Sequence, residues 1–496
     1  MEISFARRFF VGMHWLFGLL LLLGLGELGI GVLQSVRMFL YDLPYTEIRG
    51  TLNNPGPYSC VVGFILPGAW WYLLSLRRWS FLHRVDKCLA GVAILYVALS
   101  CFILPLSMSR ASWVAALVTC GVVSFFTLVN RGYTKWILRT AVVFAIACLV
   151  FAGMFYGVKR DSADGRILIW KVSISLLKDH WIAGVCGEHF AGAYGDAQEI
   201  YFRNGLGAER EGYLAGAPEY AYNEYLQIWI EYGIVVFLCV LTIIGLFLYG
   251  LIRSPLRGAC PILGCLVSIL IMAFFSYPLR DVTTCILTVG ILSLAIFFGC
   301  PEKWRRKVLF PLLGISLITF YEVCDSFGVV GYVRRAREQQ KLLRLYYDNG
   351  QFKDIVSYYE ALYPFLKHEP SYLFEYGKCL FHTKDYGRST EILKEGLIYS
   401  ADPMFLNIIG RNYQSQGNFL MAEKYYLKAS FRIPHRLYPL YRLMLLYQEQ
   451  NEFAKASVMA QMILQKEIKV PSLVVDRILL EAREFADGFS NTPTVE

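Results

Sequence analysis

Charge is scarce in this chain. Of its 496 residues only 18% are Asp, Glu, Lys or Arg, while 56% are hydrophobic. That balance excludes an ordinary soluble globular protein and points to several membrane spans. No CxxC pair occurs, so no zinc site is expected, and the 13 cysteines give no disulfide framework. Cys60, Cys88, Cys101, Cys120, Cys148, Cys239, Cys265 and Cys285 lie in or beside apolar runs, where cysteine acts as a small hydrophobe. A small-residue cleavage site after the first apolar run is missing. That run, behind Arg7 and Arg8, therefore reads as an uncleaved first span. The net charge of +9 does not imply nucleic acid, because the basic residues cluster beside apolar runs.

About nine apolar segments have the length that crosses a hydrocarbon core. They lie near 11–34, 57–76, 88–107, 111–129, 140–158, 225–251, 259–276, 282–299 and 308–326. With Arg7 and Arg8 in the cytoplasm, the loops on their side are basic. They carry Arg77, Arg78, Arg84 and Lys87; Arg131, Lys135 and Arg139; Arg253 and Arg257; and Lys303, Arg305, Arg306 and Lys307. This charge bias places 35–56, 108–110, 159–224, 277–281 and everything after about 327 on the opposite, external face. The fold class expected is all-α: a polytopic helix bundle with a large external loop and a helical tail.

The tail repeats. Phe352, Tyr386, Phe419 and Phe453 are spaced by 34, 33 and 34 residues, each behind a polar turn-like cluster. Three residues beyond each stands Ile355, Ser389, Ala422 or Ala456, and prolines recur at Pro370, Pro403, Pro434 and Pro471. A helix-turn-helix period of about 34 is the tetratricopeptide signature. A generic helical bundle is the plainer alternative. The division expected is a membrane domain over 1–330, including the loop 159–224, and about four repeats over 334–485.

Three external arginines stand at span ends. Arg110 occupies the turn Ser107–Trp113, and its planar fork suits a pair of phosphate oxygens. A snorkelling anchor is the other reading. Arg166 opens an amphipathic stretch to Lys178, expected to lie along the membrane surface with Asp164 as its cap. There Arg166 would flank free helix amides that favour an anion; the plainer reading is a surface pair with Asp161 or Asp164. Arg280 stands in a short turn beside Asp281, a possible ion-pair partner. External histidines are few: His180 and His189 in the loop, and His368, His382 and His435 in the repeats. His189, in a glycine-rich segment, is a candidate proton acceptor, or is simply solvated. Tyr222, Asn223 and Glu224 stand where the loop returns to the membrane. Glu231, two turns deeper, is either functional or hydrogen-bonded to a neighbouring helix.

The ordered set of these segments resembles the superfamily of O-antigen ligases and Wzy-type polymerases. The matching pieces are Gly50–Tyr58, Ser109–Trp113, Gly165–Trp170, Trp181–Gly187 with Phe190, and Asn223–Gln227 with Glu231 and Gly233. The resemblance implies a GT-C-like glycosyltransferase of the bacterial inner membrane. Such an enzyme moves a glycan from undecaprenyl diphosphate to lipid A–core, a growing glycan or a protein hydroxyl, on the periplasmic side. It implies no cofactor and no metal, and it maps the diphosphate-binding arginines onto Arg110 and Arg166. The family's proposed base is a histidine directly before the asparagine of the return segment. Here that place is Tyr222, and a later glycine of the motif is Val236. His189, Tyr222 or Glu224 would take the proton while Asn223 orients the acceptor. A non-enzymatic scaffold working through the repeats, with a protein partner there, is the rival from another class. A transporter is disfavoured because the charges sit at outer edges rather than at the midplane.

Overall fold

The structure, a computed structural model, describes residues 2–44, 47–52, 54–76, 83–132, 160–254, 256, 258–300, 307 and 331–490. The expected spans 140–158 and 308–326 lie outside these residues, as do most of the basic loop residues (Arg77, Arg78, Lys135, Arg139, Arg257, Lys303, Arg305 and Arg306). Every regular element among the described residues is helical. Six helices are long and apolar enough to cross a membrane, and the chain is an all-α, multi-pass membrane protein. It divides into two compact units, one over 1–159, 222–225 and 238–327, the other over 160–221, 226–237 and 328–496. The second groups the loop with the tail, a grouping absent from the sequence division at 330.

The first unit holds α1 (Glu2–Tyr41), α2 (Pro55–Ser75), α3 (Arg84–Leu106), α4 (Arg110–Asn130), most of α8 (Glu224–Arg253), α9 (Ala259–Phe275) and α10 (Val282–Gly299). These account for seven of the nine expected spans. α2 is the inner helix: it packs on α3, α4 and α9, and 67% of its most apolar window is buried, against 6% for α8. Without a hydrophobic drive between helices in lipid, small residues and hydroxyls hold the contacts. A Cβ on Gly63 would stand 2.9 Å from Met272, and the backbones at Gly250 and Gly299 nearly touch. Polar contacts stitch the same seams: Ser268 Oγ donates to Gly63 O at 3.1 Å, Tyr96 Oη to Val62 O at 2.9 Å and Trp70 Nε1 to Ser124 Oγ at 2.9 Å.

The second unit holds α5 (Arg160–His180), α6 (Phe190–Arg203), α7 (Glu209–Leu214), the early part of α8, and nine tail helices. The tail helices are α11 (Tyr332–Asp348), α12 (Phe352–Leu366), α13 (Pro370–His382), α14 (Tyr386–Tyr399), α15 (Pro403–Ser415), α16 (Phe419–Arg432), α17 (Tyr438–Glu449), α18 (Phe453–Gln465) and α19 (Leu473–Ser490), each packed on the next. Phe352, Tyr386, Phe419 and Phe453 are the first residues of α12, α14, α16 and α18. The turn before each contains a left-handed residue: Gly350 (φ 75°), Lys384 (67°), Gly417 (76°) or Asn451 (61°). Ile355, Ser389, Ala422 and Ala456 are buried. Their spacing reflects one helix pair burying its face on the next, since a single pair cannot bury it alone.

Candidate functional site

In the membrane unit, several of the expected site residues cluster at one end of the bundle. α3 ends in a tight turn with Met108 at φ 54°, and α4 begins at Arg110 behind Ser109. Ser109 Oγ and Ser112 Oγ lie 2.7 Å apart, and Ser112 Oγ bonds Ser59 Oγ at 2.6 Å. Ser59 in turn donates to Gly56 O at 2.8 Å. That hydroxyl chain ties the start of α4 to the start of α2. Asn54 caps α2 through Gly56 N–H at 3.0 Å and reaches Tyr277 Oη at 3.5 Å.

Tyr277 leads to the return segment. Its ring meets the Tyr222 ring edge-on at 5.4 Å, with Tyr222 held at φ 52°, a left-handed value costly for a bulky side chain. Asn223 and Glu224 are buried. The Glu224 carboxylate accepts the Leu279 N–H at 3.0 Å, so it fastens the single 3₁₀ turn Pro278–Arg280. Asp281 caps α10, accepting from Thr283 N at 3.0 Å and Thr284 N at 3.1 Å. The turn that carries Arg280 is thus pinned by two carboxylates, one on either side. The structure brings together Tyr222, Asn223, Glu224 and Arg280, and links Arg110 to them through α2.

Along the same helices runs an apolar groove of about 530 Å³. It is lined by Val114 and Val118 of α4, Leu241 and Ile244 of α8, Phe274 and Phe275 of α9, and Tyr225. Val114 is one turn from Arg110, and Tyr225 follows Glu224. Nothing in the residue pattern marks this groove, since its walls read as ordinary span residues.

Arg166 and His189 belong to the other unit, where two local expectations need correction. Among the described residues the helix is already formed at Arg160, so Asp164 is no cap: it lies within the helix and pairs with Arg160 at 3.6 Å, one turn away. Arg166 is half-buried more than a turn inside the helix, past the free amides that an anion would seek. Asp161 pairs with Arg210. Leu168, Val172 and Leu176 of α5 are buried with Phe190, Tyr194 and Tyr201 in the loop's own core, and Trp170 Nε1 donates to Ala221 O at 2.9 Å. His189 stands at the start of α6, its ring edge-on to Tyr399 of α14 at 5.4 Å. Tyr399 Oη also lies 2.7 Å from His368 Nδ1.

Glu231 precedes a break in α8, where Gly233 adopts φ 79° and ψ 178°. A Cβ on Gly233 would fall 1.9 Å from Ile182 O, and one on Gly184 would fall 2.5 Å from Glu231 O. The two glycines let Val185 N bond Ile230 O at 2.8 Å and Ile234 N bond Trp181 O at 2.9 Å. Glu231 accepts from Gln227 at 3.0 Å on its own helix, and Gln227 accepts the Ala221 N–H at 3.1 Å. It lies in the segment that packs with the loop rather than deeper in the bundle.

Sequence reasoning missed how the loop is held. α6 lies on α14 and α16 through Gly192 and Gly195. A Cβ on Gly192 would be 2.3 Å from the carbonyl oxygens of Leu397 and Ile398. Phe190, Tyr194 and Gln198 are buried there. Arg432, 1% exposed, pairs with Asp196 and lies 4.0 Å from Glu199, and Gln198 Nε2 donates to Arg432 O. Burial pushes the Arg432 guanidinium below its ordinary value, against the pull of Asp196. The pair of glycines in G-A-Y-G-D at 192–196 was the available signal, because closely spaced glycines on a helix permit close backbone approach.

The fold and this cluster define an all-α polytopic membrane protein with one polar, arginine-bearing bundle end. Within it, residues 95–241 match the family model Wzy_C, described as O-Antigen ligase. The match covers Arg110, Arg166, His189, Tyr222, Asn223 and Glu224, and it stops short of Arg280 and the tail helices. No curated protein matches the chain.

Proposed function

We propose that this protein transfers a glycan from undecaprenyl diphosphate to an acceptor hydroxyl at the periplasmic face of a bacterial inner membrane. The observation that carries the reading is the Glu224–Leu279 hydrogen bond, which joins the return segment to the Arg280 turn. The family match over the same return segment supports it. In the transfer, the bond between the sugar's anomeric carbon and the diphosphate breaks while the acceptor oxygen bonds that carbon. The leaving diphosphate gains negative charge, which Arg110 and Arg280 neutralise, and preorganised charge of this kind supplies the largest share of many rate enhancements. The apolar groove beside Arg110 takes the polyprenyl tail.

The acceptor proton goes to a base. Glu224 is committed to the turn, so we assign it to positioning Arg280, and Tyr222 and His189 remain the candidates for the base. Asn223 orients the acceptor. Arg166, in the loop unit, is a further diphosphate contact in this reading. The tail is a tetratricopeptide-type array. Its contact with α6 makes it a support for the loop, and it is through the loop that it serves transfer.

The same contact decides how the scaffold alternative must be tested. Deleting the tail would strip α6 of its partner, so an inactive truncation would fit either reading. Point substitutions separate them. In membranes supplied with lipid-linked glycan, Arg280→Ala should slow consumption by about 10²–10³-fold, the usual loss for one transition-state charge contact. Glu224→Gln should lose less, because an amide oxygen still accepts the Leu279 N–H. Full turnover by folded Arg280→Ala and Arg110→Ala proteins would refute the diphosphate assignment, whereas no turnover by the unaltered protein, with glycan assembly lost only when the tail is changed, would favour the scaffold.

A further inference from the structure

The first helices of successive tail pairs carry a cation at one register. Arg344, Lys378 and Arg411 each stand eight residues before the aromatic that opens the following helix. Arg344 is paired with Glu375 at 2.7 Å. Lys378 and Arg411 meet rings instead. Lys378 Nζ lies 4.8 Å from the Tyr347 centroid and 5.9 Å from that of Phe352, and Arg411 Cζ lies 4.3 Å from the Phe381 centroid. Among the described residues neither has a carboxylate at ion-pair distance. His382 lies between them, stacked on Phe352 at 4.1 Å and edge-on to Phe381 at 5.2 Å.

Three basic groups and three rings, those of Tyr347, Phe352 and Phe381, therefore share one patch that spans α11, α12, α13 and α15. Burial, then Arg411, pushes the Lys378 ammonium below its ordinary value. Burial, then Lys378 and Arg411, does the same to His382. The groups feel one another's charge; at Lys378 the carboxylates of Asp348 and Glu375 work against that repulsion, and the π faces beneath add to the offset, yet the net push on both groups stays downward. An anion would offset the rest.

We propose that this patch binds an acidic glycan, a sugar chain bearing carboxylates. Lys378 and Arg411 take the charge, and the partly open rings of Tyr347, Phe352 and Phe381 take the apolar C–H faces of the sugars. A peptide fits less well. The backbone amides of the adjoining turns are already used: Gly350 N to Tyr347 O, Gln351 N to Tyr346 O, Lys384 N to Phe381 O and Asp385 N to Leu380 O, each at 3.0 Å. A main chain would find few partners there. The choice of a glycan rests in part on the glycosyl-transfer reading; the patch itself does not.

The test is direct binding to the full chain in lipid nanodiscs, with oligogalacturonate as probe and a maltooligosaccharide and oligoglutamate beside it. Oligogalacturonate should bind in a salt-sensitive way, and Lys378→Gln with Arg411→Gln should weaken it by about tenfold or more. Lys378→Arg should keep it. Equal or tighter binding of oligoglutamate would replace the glycan with an acidic peptide. Binding no stronger than that of the neutral sugar, or unaltered binding by the double variant, would overturn the site. Glycan transfer is scored separately on the same proteins. Absent binding with intact transfer would sink this inference alone, and lost transfer in Arg110→Ala with intact binding would leave it standing.

Discussion

The membrane bundle and the loop–tail unit solve the same packing problem with different materials. In the bundle, glycines and hydroxyls bring backbones together, as at Gly250 and Gly299 or along Ser109, Ser112 and Ser59. In the loop–tail unit, glycines again permit contact, but buried charge fixes it: Arg432 with Asp196 and Glu199. Lipid explains the contrast. An ion is costly inside hydrocarbon, whereas a hydroxyl satisfied by a neighbouring carbonyl or hydroxyl costs little. Beside water, a charged pair can select one docking register from many.

The comparison can be broken at several points. The largest effect should come from Gly192→Val. Its Cβ would meet two carbonyl oxygens at 2.3 Å, and backbone cannot yield as a flexible side chain does. α6 should lift from α14, and limited proteolysis should then cut within 190–203 while the isolated bundle end keeps its turn. Next comes Arg432→Ala, with an expected loss of about 3 kcal/mol, the low end for removing one partner of a buried pair. The low end applies because Asp196 reaches water and Lys428 and Arg203 still face Glu199. The matching change in the bundle, Ser112→Ala, should cost less, about 2 kcal/mol for its two hydroxyl bonds to Ser109 and Ser59. Chemical denaturation of the two variants checks the ratio; equal losses would erase the distinction.

A pH experiment sharpens it further. His435 lies at the loop–tail contact, with Nδ1 3.3 Å from Gly212 O. Burial, then the charges of Lys469, Arg436 and Lys466, pushes its pKa down to about 4 despite the Gly212 contact. The folded state therefore disfavours the protonated ring. This contribution is complete above pH 6.5, the ordinary value, and is lost as pH falls toward 4. The melting temperature of the loop–tail unit should drop across that window, and His435→Gln should flatten the drop. The smallest effect belongs to Arg334→Ala. Its pair with Glu338 is well exposed on both sides, so the melting curve should move by no more than about 0.5 kcal/mol equivalent.

Much of the architecture was legible in the sequence. The spans are runs of apolar residues of fixed length, and the tail's period is written in Phe352, Tyr386, Phe419 and Phe453. The α5 boundary was not legible: Asp164 looked like a cap because local preference alone was in view, while the helix runs on to Arg160. Gly233 reads as a motif residue in the sequence, but its φ and its closeness to Ile182 depend on a loop segment some fifty positions away. Glu224 could be singled out as a carboxylate beside the membrane; that it fastens the Arg280 turn could not.

Local composition and period, taken alone, determined that this chain is helical, crosses a membrane several times and ends in a repeated helix stack. These follow from solvent partition and helix geometry, which act residue by residue. Tertiary structure alone decided that the loop packs on the tail and that Glu224 meets Leu279. It also decided that Lys378, His382 and Arg411 share one patch. Each of those depends on which distant backbone comes close, and a chemical preference carries no record of distance.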